Sequence, residues 1–156
     1  MRYFWLHIFL LFSISSDAET PSLTEVRSLY EQAAYNEKAC IKLIEWLKPY
    51  HENNNPLLFG YRAGGMMMMA NYVFNPFSKL SYFNKGKKML HNAILADAQN
   101  IELRFIRFGV QTNAPAFLGY KNYVEKDKLF LKQSLNSISD HHLKTMIVSY
   151  FNKRGY

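Results

Sequence analysis

The stretch YFNKGKKMLHNAILADAQNIELRFIRFGVQTN, residues 82–113, decides the fold. In its first half Tyr82, Phe83, Gly86, Met89, Leu90, Ala93 and Ile94 recur at the three-and-four spacing of one helix face, and Asn84, Lys85, Lys87, Lys88, His91 and Asn92 fall opposite. That is an amphipathic helix with a basic outer face. Asp97-Ala98-Gln99-Asn100 then breaks the pattern, with Asn100 placed to cap the next helix and Glu102 in its first turn, where the helix dipole favours an anion. In that second helix Leu103, Phe105, Ile106, Phe108 and Val110 wrap most of the circumference and leave Arg104, Arg107 and Gln111 as the polar stripe. A helix apolar on so many sides is sandwiched between neighbours. Neither helix can bury its apolar surface on the other alone, so the flanking chain must supply more helices.

Upstream it does. Ser22-Leu23-Thr24-Glu25 has the capping-box spacing, and Leu23, Val26, Leu29, Tyr30 and Ala33 give the helix that follows an inner face. A second helix spans Glu37 to Lys48, with Ala39, Cys40, Leu43, Ile44 and Leu47 inward, and Pro49 ends it. Asn55-Pro56 starts a third, since Pro is tolerated in the first helical turn. Residues 57–74 are nearly unbroken in apolar and small side chains, but Arg62, Asn71 and the glycines 60, 64 and 65 fit a buried central helix better than a membrane span. Four consecutive methionines, Met66 to Met69, point in all directions; two or three can serve a core, and the rest are expected to form a soft contact surface. Asn75-Pro76 repeats the start signal and predicts one extra turn, Phe77 to Leu80, before the helix at Tyr82. Downstream, Ala114-Pro115 stops the fifth helix, Tyr123 to Leu135 suggests a sixth, and Ser139 is placed to cap a seventh with Leu143, Met146, Ile147 and Tyr150 inward. No alternating strand pattern occurs, so the fold class is all-α.

The chain has 156 residues, 49% of them hydrophobic, and that is enough for a single domain with its own core. Met1-Arg2, the apolar run Tyr3 to Ile14 and the small residues around Ser16-Asp17-Ala18 read as a secretory signal, residues 1–18, cleaved near Ala18. The mature chain, 19–156, is then periplasmic or secreted, and no transmembrane span is expected in it. Cys40 is the one cysteine, so no intrachain disulfide forms and packing alone must hold the domain.

The net charge of +7 is unevenly spread. Residues 53–96 contain no Asp or Glu, against Arg62, Lys79, Lys85, Lys87 and Lys88, whereas residues 19–52 carry six acids and four bases. This is either a solvated face complementing the first helices or a surface for an anionic partner. Nucleic acid is an improbable partner for an exported chain. His141 and His142 are adjacent and point about 100° apart on a helix, so they cannot share a metal. Glu125 and Asp127 sit among Lys121, Lys126, Lys128 and Lys132 and read as a solvated face. With no phosphate loop and no nucleophile elbow, neither enzyme activity nor a cofactor or metal is expected. The stripe Arg104, Arg107, Gln111, with Asn113 and Arg62, either pairs with acids and carbonyls of neighbouring elements or lines a groove for a carboxylate or phosphate.

Gly86, Leu90, Ala93 and Ala98 are spaced as in the second helix of a tetratricopeptide repeat, which the segment 85–100 resembles over about half a repeat, with Ala98 where that family usually has Pro. The mature chain also resembles small exported Bacteroidetes proteins of unknown function in Asn75-Pro76-Phe77, residues 90–100 and Thr112-Asn113-Ala114-Pro115. These resemblances imply about seven helices in antiparallel pairs, a helical-repeat-like, right-handed stack. They imply also a role in binding an envelope protein or peptide. The alternative is a binder of acidic lipid or polysaccharide through the basic face Lys79, Lys85, Lys87 and Lys88.

Overall fold

Side-chain oxygens start most of the helices. Asn36, Asn55, Asn75 and Asn100 each accept a backbone N–H from the first turn that follows them, at 2.8–3.1 Å for the shortest bond of each. Ser22 and Asp140 do the same at two more. In the computed structural model, which describes residues 20–156, the helices are α1 (Leu23–Ala33), α2 (Glu37–Trp46), α3 (Pro56–Met69), α4 (Pro76–Ala96), α5 (Ile101–Asn113), α6 (Val124–Ser134) and α7 (His141–Arg154). A single 3-10 turn, Ala116–Leu118, lies between α5 and α6, and no strand occurs among the described residues. The chain is all-α, as its periodicity demands. The expected signal segment and its cleavage point lie outside the described residues.

Three local readings need correction. The extra turn expected at Phe77 to Leu80 is the beginning of α4, which runs unbroken for 21 residues because Pro76 occupies the first turn and Asn75 caps it. The seventh helix is capped by Asp140 rather than Ser139, and its buried face is Leu143, Ile147 and Phe151. The methionines form no exposed contact surface: Met66, Met67 and Met69 are buried, and Met68 is half-buried against the same core. They are covered because α3 is contacted by α1, α2, α4 and α5, which accounts for a helix apolar on nearly every side.

The interior divides in two around α5. Leu103 and Ile106 join the main core built on α1 to α4, while Phe108 joins a smaller cluster with Leu131, Leu143, Ile147 and Phe151 from α6 and α7. Within the main core α3 and α4 approach most closely at Gly86. A Cβ there would lie 2.6 Å from the Ala63 carbonyl oxygen and 2.9 Å from the Met67 nitrogen, both backbone atoms that cannot yield without separating the helices. Gly86→Ala is therefore expected to destabilise by about 1–3 kcal/mol through overpacking, despite the better helix propensity of Ala. Gly109→Ala, where nothing lies within 4 Å, should instead stabilise by about 0.5–1 kcal/mol. Urea denaturation of the two variants checks the contrast, and equal effects would deny that Gly86 sets the α3–α4 distance.

Candidate functional site

The polar stripe of α5 meets an acid that the sequence appeared to leave in solvent. Arg107 donates from Nε and Nη2 to Asp127 Oδ2 and Oδ1 at 2.6 and 2.7 Å, a two-pronged pair. Arg104 donates from Nη1 to Asp127 Oδ1 at 3.1 Å and from Nε and Nη2 to the Ala98 carbonyl at 3.2 and 3.0 Å. Asp127 is wholly buried, so it is not part of a solvated face, although its neighbour Glu125 is exposed and pairs with Lys128. The reason is helical register, since Asp127 shares the inner face of α6 with Leu131, four residues on. The guanidinium groups also lie over aromatic rings, Arg107 over Tyr123 at 4.1 Å and Arg104 over Phe130 at 5.0 Å.

The other residues marked in the sequence are not gathered here. Gln111 is fully buried and neither its Oε1 nor its Nε2 has a hydrogen-bond partner among the described residues. Asn113 donates to the Gly109 carbonyl at 2.7 Å and to the Tyr150 hydroxyl at 2.9 Å, and accepts from Arg154, which ties α5 to α7. Arg62 donates to the Lys48 carbonyl in the turn that follows α2. Lys79, Lys85, Lys87 and Lys88 are exposed, and none is joined to a carboxylate among the described residues.

A surface cleft of about 420 Å³ does bring the two basic features together. It is lined by Asn84, Lys87, Lys88 and His91 of α4, by Arg107 of α5, and by Tyr120, Asn122 and Tyr123 of the connector before α6. Lys87 Nζ stands 5.1 Å above the Tyr120 ring, which itself packs edge-on against Phe83. Burial pushes the Tyr120 hydroxyl up to about 12, so it is a neutral donor at ordinary pH. No carboxylate lines the cleft, and Asp127 lies behind Arg107. Cations, amides and phenols in this arrangement suit the binding of an anion. Sequence reasoning found Lys87, Lys88 and Arg107 but placed them in separate features. It read Tyr123 only as the start of the sixth helix and assigned Tyr120, in the segment before it, no part in a site.

A second, wider groove of about 860 Å³ lies between α1 and α2, lined by Glu25 of α1 and by Lys42, Glu45 and Trp46 of α2 among others. Neither groove reaches the buried cluster in which Glu102 accepts from Arg27 and from the Tyr61 hydroxyl. The Cys40 thiol is buried and donates to the Gly65 carbonyl at 3.3 Å, and burial raises it to about 11, the state of an inert structural thiol. Among the described residues no three His, Cys, Asp or Glu side chains are grouped to hold a metal, and no helix is long and apolar enough to cross a membrane. Compared with protein-family models, with curated proteins and with solved structures, the chain matches none of them.

Proposed function

We propose that the chain is a non-enzymatic, exported helical domain, stacked in the manner of helical repeats, that binds an envelope protein or peptide by seating an acidic group in the cleft between Lys87 and Arg107. The observation that carries this reading is the acid-free lining of the cleft, where Lys87, Lys88 and Arg107 converge beside two tyrosines. Arg107 is held rigid by Asp127, so its guanidinium is already oriented before a ligand arrives. Lys87 and Lys88 are free of ion pairs among the described residues and can supply charge without first losing a partner.

The test is titration with a synthetic glutamate-rich peptide. The double variant Lys87→Glu, Lys88→Glu should bind it about tenfold or more weakly at low ionic strength with an unchanged melting temperature, and the difference should shrink as salt is added. Lys42→Glu, in the other groove, should leave binding unaltered. Equal affinity of the wild type and the Lys87, Lys88 variant would overturn the reading.

A further inference from the structure

The outer face of α4 carries large apolar side chains that neither the core nor the cleft uses. Phe77, Leu80, Asn84, Lys88, His91 and Leu95 follow one another at steps of three or four and form a single exposed ridge about 27 Å long. Phe77 is 85% exposed, Leu80 50% and Leu95 69%, and Phe74, immediately before the cap, is 98% exposed. Lys85 and Lys87 flank the ridge, Lys88 lies on it, and residues 53–96 contain no acid.

We propose that this ridge docks the protein flat on an anionic bilayer, with Phe74, Phe77, Leu80 and Leu95 entering the interfacial layer and the lysines meeting headgroup phosphates. Charge complementarity selects an acidic occupant. The pattern along the ridge agrees with that choice: Phe74, Phe77 and Leu80 gather at one end and Leu95 stands alone at the other, with Asn84, Lys88 and His91 between them, whereas a protein partner buries a contiguous apolar centre ringed by polar groups. A bilayer interface takes up both apolar ends of such a ridge while its negative potential holds Lys88 between them and Lys85 and Lys87 beside them. The arrangement needs no membrane-crossing helix. It shares Asn84, Lys88 and His91 with the cleft but depends on side chains outside it, so it does not rest on peptide binding.

Sedimentation with vesicles tests it, using phosphatidylcholine alone and phosphatidylcholine with phosphatidylglycerol. The full chain should co-sediment with the anionic vesicles only. The triple variant Phe77→Ser, Leu80→Ser, Leu95→Ser should partition at least about tenfold less while holding the glutamate-rich peptide as before. Lys85→Glu should weaken partition and flatten its dependence on salt. Tyr35→Ser removes an equally exposed aromatic in the α1–α2 turn and should change nothing. Wild-type protein left in the supernatant at low salt, or full retention of the triple variant, would overturn the proposal. Wild-type protein that binds the anionic vesicles but not the glutamate-rich peptide would instead count against the cleft alone.

Discussion

Asp127→Ala is expected to destabilise the fold by about 3–5 kcal/mol, measured as a shift in the urea midpoint with an unchanged slope. The carboxylate is fully buried and serves two guanidinium groups at once, so its removal strands Arg107, itself almost entirely buried, with no anion to face. Stranding a buried charge costs far more than the net worth of the pair, because the desolvation of the cation is no longer compensated. Arg104 should matter less than Arg107. It is the more exposed of the two, and two of its nitrogens rest on the Ala98 carbonyl, a contact that survives the loss of Asp127. The expected order of destabilisation is therefore Asp127→Ala, then Arg107→Ala, then Arg104→Ala. The double variant Asp127→Ala, Arg107→Met should recover part of the loss, since it removes both charges together. If Asp127→Ala loses less than about 1 kcal/mol, the three side chains are not a structural unit and the cleft's rigid Arg107 loses its support.

These two roles of Arg107, buried partner and cleft wall, bear on what the sequence could disclose. The helices were legible because their signals are local: an Asn or Ser ahead of each of the first five, Pro in the first turn of α3 and α4, and apolar residues at three-and-four spacing. The sandwiching of α5 was legible too, since Leu103 and Ile106 on one side and Phe108 on another left only a narrow polar stripe. Asp127 was not, because four neighbouring lysines made its segment look solvated and the decisive fact is not local. In α6 the apolar residues Leu129, Phe130 and Leu131 are consecutive, so periodicity alone does not say which of them points inward. Leu131 does, while Leu129 is exposed, and only that choice turns Asp127 towards α5. The cleft was hidden for the same reason. Lys87 and Arg107 lie on different helices, and Tyr120 joins them through a connector with no periodic pattern to read. The methionine run misled in the opposite direction, because the number of helices around α3, and not the composition of α3, decides how many of its faces are covered.

Glu102→Gln is the second substitution with a large expected effect, again about 3–5 kcal/mol, and it has a pH signature that Asp127→Ala lacks. Glu102 accepts from Arg27 Nε and Nη2 at 2.7 and 2.8 Å and from the Tyr61 hydroxyl, so three donors from α1 and α3 converge on one carboxylate of α5. A Gln of the same shape turns one acceptor into a donor aimed at other donors, and leaves the buried Arg27 guanidinium without the carboxylate that chiefly raises its pKa against burial. Arg27 then has one anion left, Asp140, at 2.8 Å from its Nη2. The hydrogen bond from Arg27, with the Leu143 N–H it also caps, holds the Asp140 carboxyl below the usual carboxylate range. A depressed carboxylate contributes stability that is fully present above its unfolded value near 4 and is lost as pH falls through the lower folded value. In Glu102→Gln the Asp140 carboxylate is the one anion left on Arg27, so the remaining stability should fall further below about pH 4 as that carboxylate protonates, whereas Glu102→Gln with Arg27→Met should recover stability at neutral pH. Denaturation across pH, followed by near-ultraviolet circular dichroism, reads this directly. An acid limb left unchanged when Asp140→Asn is added to Glu102→Gln would mean that Asp140 does not hold the start of α7 to α1 through Arg27.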